Sequence, residues 1–244
     1  MRIKALLLAA GYGTRLRPLT NVTPKCLVQV NGKPLLSYWL KKLENLGCEE
    51  VIVNTHYLSH EVIRYLDTYK SNKLVVIISH EEEILGTAGT LMRHLDFFEN
   101  SIGLLIHADN FTFDDLSEFV KHHYLRPKDC IMTMLTFNTK DPSSCGIVKK
   151  DKEGKVIEFH EKSEKKMGNC ANGALYAFDK EFIEFLKKLP HNVSDFSIDV
   201  IPLIIGKIFS WHTSDIYMDI GNLNSLKEAN RIASCQTFNG KRKT

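Results

Sequence analysis

The sequence predicts an α/β fold: a Rossmann-like mixed, mostly parallel sheet flanked by helices, with a small β-rich subregion in its second half. Two observations carry this expectation. Through the first half, short β-branched or leucine-rich runs alternate with amphipathic stretches, the order of repeated βαβ units. The first apolar run passes directly into a glycine-bearing loop, as a strand does on reaching the ligand edge of a parallel sheet.

In chain order, the runs at 3–9, 51–55, 74–79 and 104–107 read as strands and those at 34–46, 59–69 and 87–95 as helices. Pro34 stands at the start of the first helix and Gly47 just past its end. Leu35, Leu36, Trp39, Leu40 and Leu43 fall on one face, which predicts packing of that face on the sheet. Asp114 is expected to cap a helix running to Tyr124. CIMTMLTF reads as a strand, residues 146–149 and 156–160 around the turn-like DKEG as a β-hairpin, and 171–178 as a further strand. Asp179 and Ser194 are expected to cap two more helices, the second reaching Leu203, and Asn222 to start a terminal one. No repeat or low-complexity linker interrupts the chain, so residues 1–234 read as one domain in two halves, 1–125 and 126–234, with 235–244 a flexible tail.

A chain of 244 residues, 43% of them hydrophobic, can bury a substantial core. Its 32 basic and 29 acidic residues leave a formal charge of +3, which gives a polyanionic macromolecule little to hold, and no nucleic acid partner is expected. The basic run GKRKT is terminal and reads as solvated tail. Six cysteines form no C-x-x-C pair and no zinc-type spacing, so they read as reduced thiols. The opening strand lacks the regions of a signal peptide, and no apolar run reaches the ~20 residues of a membrane span. A cytoplasmic protein with no membrane partner is expected.

The densest chemistry lies in LLLAAGYGTRLRPLTNVTPK, residues 6–25. Gly11 and Gly13 allow a sharp turn and close approach of backbone N–H groups to an anion. Arg15 can fork onto phosphate oxygens, and Lys25 adds a mobile positive charge. A dinucleotide fingerprint is disfavoured: GYGTRL lacks the third glycine of G-x-G-x-x-G, and no strand-ending acid follows at the expected distance. Arg17 is open between phosphate contact and solvated side chain. GLLIHADN brings Asp109 to the carboxyl edge of the sheet, either to bind a metal or to cap a turn. A second acid in a comparable setting, Asp219 of DIYMDIG, ends a short strand before Gly221. His107 reads as a hydrogen-bonded neighbour of Asp109, and Glu81, Glu82 and Glu83 as a solvated acidic run.

Residues 11–25 resemble the GxGTRLxPxTxxxPK signature of the sugar-phosphate nucleotidyltransferases, and the likeness extends over residues 3–233. It implies the nucleotide-diphospho-sugar transferase fold, with 1–125 binding nucleotide and 126–234 binding sugar phosphate. Under it, Arg15 and Lys25 are the catalytic cations, and Ala10, Gly11, Gly13, Thr14, Gly86 and Thr87 hold the nucleotide, although LGTAG is also open to reading as a plain loop and helix start. Ala10 stands where many relatives carry a second glycine. Asp109 and Asp219 look like the family's two metal-binding aspartates, which implies a Mg2+ cofactor. SCGIV, EFHEKS and GNCANGALY follow in the order of the family's acceptor wall. There Gly146 would leave room for a sugar ring, Glu161 accept from hydroxyls, Lys162 neutralise the phosphate, and Asn172 donate and accept. The LGTAG and FHEK runs are most similar to mannose-1-phosphate guanylyltransferase-like members. The partners implied are a nucleoside triphosphate, GTP favoured, and mannose 1-phosphate. Another hexose or heptose phosphate, a pyrimidine nucleotide and homo-oligomerisation stay open. The second reading is a non-catalytic nucleotide-sugar-binding module that kept the pocket.

Overall fold

The computed structural model describes residues 2–162, 168–190 and 192–240, the side chains of 236–240 excepted. The first half holds β1 (Arg2–Leu8), the small hairpin β2 (Gln29–Val30) and β3 (Lys33–Pro34), α1 (Leu35–Leu46), β4 (Glu50–Thr55), α2 (Ser59–Thr68), β5 (Val75–His80), α3 (Gly86–Arg93) and β6 (Ser101–His107). It ends with β7 (Asn110–Thr112) and α4 (Leu116–Tyr124), and the second half adds β8 (Met132–Asn138), β9 (Gly146–Lys150), β10 (Val156–Glu161), β11 (Cys170–Phe178), α5 (Lys180–Leu186), β12 (Ile208–His212), β13 (Tyr217–Asp219) and α6 (Leu223–Gly240).

A nine-stranded sheet runs in the order β10-β9-β11-β6-β1-β4-β5, with β8 and β12 branching from β11. β1 pairs parallel with β4 and β6, and β4 with β5, the βαβ arrangement expected from the first half. β11 runs antiparallel to β6 and joins the second half to the first. The hairpin of β9 and β10 forms around the expected turn. The fold class is therefore the mixed, helix-flanked sheet predicted.

β1 is buried on both faces because helices cover both. Ala5 and Leu7 pack with Leu36, Trp39, Leu40 and Leu43 of α1, while Leu6 packs with Leu91 of α3 and Phe178, Phe182 and Phe196 of the second half. Gly47 closes α1 in the left-handed conformation, its N–H reaching back to the carbonyls of Glu44 and Leu43. α6 packs Ala229 and Ala233 on Val30, Leu35 and Ile220. Among the described residues, no helix is long and apolar enough to cross a membrane.

Three caps differ from expectation, each because a tertiary partner takes the side chain. Asp115, not Asp114, caps α4, accepting from Ser117 N; the hydroxyls of Thr112 and Thr213 donate to the buried Asp114. Asp195, not Ser194, accepts from Ser197 N and Ile198 N, and the chain then forms a π turn (Phe196–Val200) and a 3-10 turn (Ile201–Ile204) rather than one helix to Leu203. Asp179 precedes α5 as expected, yet its carboxylate pairs with Arg126 instead of capping. Asn222 does start α6, its side chain accepting from Asn224 N and Ser225 N. That helix continues through 235–240, where the sequence predicts the start of a tail; 241–244 lie outside the described residues.

Gly103 sits where β6 passes under two phenylalanines. A Cβ there would collide with the Phe178 ring and lie 2.8 Å from Phe98 Cδ1. Gly103→Ala should therefore cost about 1–3 kcal/mol through overpacking, measured by urea denaturation. An unchanged midpoint would show that the rings shift freely.

Candidate active site

The site forms where β1, β4 and β6 end together. Leu8 O accepts from Ala108 N at 3.1 Å, and Ala9 N donates to Asn54 Oδ1 at 2.6 Å, which ties the three strand ends to one another. The chain then leaves the sheet through Ala10 and Gly11. A Cβ on Gly11 would meet nothing within 4 Å, so this backbone borders open space. Gly13 serves differently: at φ +63° it packs so closely that a Cβ would lie 3.0 Å from Thr20 Cγ2 and 3.1 Å from Lys25 Cβ. Thr20 Oγ1 donates to Gly13 O at 2.7 Å, and buried Leu16 anchors the turn that carries Thr14 and the exposed Arg15.

Lys25 lies in a 3-10 turn (Lys25–Leu27) held down by buried Cys26. Its ammonium donates to Asp109 Oδ2 and, at 3.3 Å, to Asp219 Oδ1; Arg15 Nη2 stands 3.7 Å from Asp219 Oδ2. The two acids meet because β13 pairs with β7, setting Asp219 opposite Asn110, while Ile220 N donates to Asp109 O at 3.0 Å. Gly221 completes the cluster, since a Cβ there would lie 2.5 Å from Asp219 Oδ2 and 3.1 Å from Arg15 Nη2. The sequence reading assigned Gly221 no part in the site; only the folded geometry reveals this close approach.

Burial works against the Lys25 charge, but Asp109 and Asp219 outweigh it and raise the lysine's pKa. Burial likewise opposes ionisation of Asp109, yet Lys25 and His107 hold that carboxyl below its ordinary value. Asp219 goes the other way, raised first by burial and then by Asp109, against Lys25 and Arg15. Lys25 thus compensates Asp109, while Asp219 beside it stays under-compensated. The two carboxylates are hard oxygen donors suited to Mg2+. No group of three or more His, Cys, Asp or Glu gathers among the described residues, so phosphate oxygens and water would have to complete an ion's shell.

Beside this cluster lies a cavity of about 240 Å³ whose walls include Ala10, Gly11, Lys25, Gly86, Thr87 and Asp109. Glu81, Asn54, Thr90 and His107 also line it. Glu81 corrects the sequence reading: it is fully buried rather than solvated, and only Glu82 and Glu83 of the run are exposed. It accepts from Asn54 Nδ2 at 3.0 Å, Thr90 Oγ1 at 2.6 Å and Leu85 N at 3.2 Å. The run of three acids hid it; the end of β5, extended by Glu81 N donating to Thr55 O, carries it beneath α3. His107 Nε2 is buried and has no hydrogen-bond partner among the described residues.

Gly86 and Thr87 line the cavity and also join the two halves. Gly86 has φ +79°, and a Cβ there would lie 2.5 Å from Ser194 O. Thr87 Oγ1 accepts from Phe196 N at 2.7 Å, and Ser194 O accepts from Ala88 N at 2.8 Å.

Gly146, Glu161, Lys162 and Asn172 gather on the wall of β9, β10 and β11, and none of them lines the cavity. Gly146 opposes Glu161, and its missing side chain is filled by protein: a Cβ would lie 2.5 Å from Phe159 Cζ and 2.7 Å from Glu161 Oε2. Lys162 Nζ is 3.4 Å from Glu161 Oε1 and largely exposed. Asn172 turns inward, donating to Tyr176 Oη at 2.7 Å and accepting from Ala174 N at 2.9 Å, where the β8–β11 register shifts. Ser163 of the EFHEKS run lies outside the described residues.

Residues 4–235 match the Nucleotidyl transferase family. The mannose-1-phosphate guanylyltransferase catalytic subunit beta of Drosophila pseudoobscura pseudoobscura is 32% identical over 227 residues, 89% of this chain and 59% of the relative. The mannose-1-phosphate guanyltransferase of Saccharomyces cerevisiae is 28% identical over 90% of this chain and 61% of its own. The chain thus spans about three-fifths of the length of these relatives. Among solved structures, a glucose-1-phosphate thymidylyltransferase from Bacillus anthracis, described by its authors as putative, superposes with a TM-score of 0.84 at 24% identity, covering 95% of both chains. HddC from Yersinia pseudotuberculosis, complexed with GMP-PN, gives 0.78 at 24% identity, over 93% of this chain and 98% of its own. With a match running from β1 into α6, the chain belongs to the Nucleotidyl transferase family.

Proposed function

We propose that this chain transfers a nucleotidyl group from a nucleoside triphosphate, GTP favoured, to mannose 1-phosphate or a related hexose or heptose 1-phosphate, releasing pyrophosphate. The observation that carries the reading is the convergence of Lys25, Arg15, Asp109 and Asp219 beside the open backbone of Gly11. A phosphate oxygen of the sugar 1-phosphate attacks the α-phosphorus; that P–O bond forms as the bond to the β-phosphate breaks, and the electron pair leaves with pyrophosphate. The nucleophile is already anionic, so no side chain need take a proton from it. The chain's task is to align two anions and screen their repulsion. For unit charges ~4 Å apart that repulsion is on the order of 4 kcal/mol at an effective dielectric near ~20, or roughly three decades in rate. Lys25 and Arg15 supply the fixed positive charge. Asp109 and Asp219 would hold Mg2+, which when bound neutralises phosphate charge.

Two points support a guanine nucleotide. The names of both relatives given above specify guanylyl transfer. Glu81 presents a buried carboxylate at the cavity, and among the described residues Oε2 accepts only from Leu85 N, leaving a lone pair for a base edge rich in N–H donors, as guanine's is. The likeness to a thymidylyltransferase lies at 24% identity and speaks to fold alone; a pyrimidine nucleotide is the alternative substrate.

A pyrophosphate-release assay across four nucleoside triphosphates and a panel of sugar 1-phosphates tests the proposal, with release expected for GTP and mannose 1-phosphate. Nucleotide-sugar binding without release would favour the non-catalytic module. Lys25→Ala should lower kcat/KM by about three decades while circular dichroism reports an intact fold; wild-type turnover in this variant would remove Lys25 from the mechanism. Asp109→Asn combined with Asp219→Asn should abolish Mg2+-dependent release, and persisting release would refute the metal assignment. Glu81→Gln should cut the GTP-to-UTP ratio of kcat/KM by roughly 10–100-fold, whereas an unaltered ratio would rule out base reading by this carboxylate.

A further inference from the structure

β5 closes one edge of the nine-stranded sheet and pairs only with β4. Val75 N donates to Glu49 O and Glu81 N to Thr55 O, both at 2.9 Å. The odd-numbered residues between them therefore turn their backbone groups toward β4, and Val76, Ile78 and His80 turn theirs outward. Edge strands are commonly blunted by lysine, proline or a bulge. This one reads VVII, and Val75, Ile77 and Ile78 are 58%, 36% and 37% exposed. Its two ends carry opposite charge. Exposed Lys70 and Lys73 precede it and exposed Glu82 and Glu83 follow it, and of these four none forms an ion pair among the described residues.

We propose that this edge is a homodimer interface: two copies pair β5 antiparallel about a two-fold axis, extending the sheet across both chains. The outward backbone groups set the register, because hydrogen-bonded pairs must join even-numbered residues. With Ile78 opposite its own symmetry mate, Val76 faces His80 and the exposed apolar side chains come together. Antiparallel pairing also lays the basic start of each strand along the acidic end of the other, so the charge pattern is complementary to itself. Parallel pairing would set like charges side by side. A two-fold dimer uses both edges and closes, leaving none for a third copy.

Sedimentation equilibrium at concentrations up to ~100 µM should give a saturating dimer. Ile77→Lys sets two cations beside the axis and should leave a monomer whose circular dichroism spectrum matches the wild type. Lys73→Glu should raise the dimer dissociation constant by about 10-fold or more, and adding Glu83→Lys should restore it. In the wild type, the amides of Val76, Ile78 and His80 should exchange hydrogen more slowly at high protein concentration than at low, a readout that needs no variant to fold. A monomer throughout this range, a dimer indifferent to Ile77→Lys, concentration-independent exchange at these amides, or a mass that grows without limit would each overturn the proposal.

Discussion

A single lysine held between two acidic side chains organises this molecule. Lys25 comes from the loop after the first strand, Asp109 from the end of β6 and Asp219 from β13, contacts that span 84 and 194 residues of sequence. Gathering them requires the parallel half, the antiparallel half and the small β7–β13 pair all to be in place. The cluster is not a source of stability in itself, because desolvating charges costs about as much as their attraction returns. Asp219 records that tension in its raised pKa.

The second constraint is the seam at the start of α3. Ser194 and Phe196 engage the backbone or side chains of residues 85–89, so the element lining the cavity also bonds to the second half. Cavity wall and inter-half contact are one structure there. Gly86 is required on both counts, for its positive φ and for the closeness of Ser194.

Much of this was legible in the chain. Alternating apolar and amphipathic runs yielded the βαβ half because period and burial coincide in it, and the face of α1 was read residue by residue. Caps were less legible: Asp114 and Asp179 have the right chemistry at or beside a helix start, but the hydroxyls of nearby Thr112 and distant Thr213 and the Arg126 guanidinium compete for them. Glu81 was obscured by its neighbours Glu82 and Glu83. On the wall of β9, β10 and β11, Gly146 and Asn172 carry contacts that serve the fold, with Phe159 and Glu161 against one and Tyr176 on the other.

The sequence alone determined the class of fold, the anion-suited loop and the residue types of the candidate centre, because those follow from local periodicity, glycine conformational freedom and charge. Only the tertiary structure decided that Lys25 bridges both aspartates, that Gly221 lets Asp219 and Arg15 approach, and that Glu81 is buried at the cavity. Those facts depend on which distant strands become neighbours, and a side chain's partner is chosen by what the rest of the fold brings within reach.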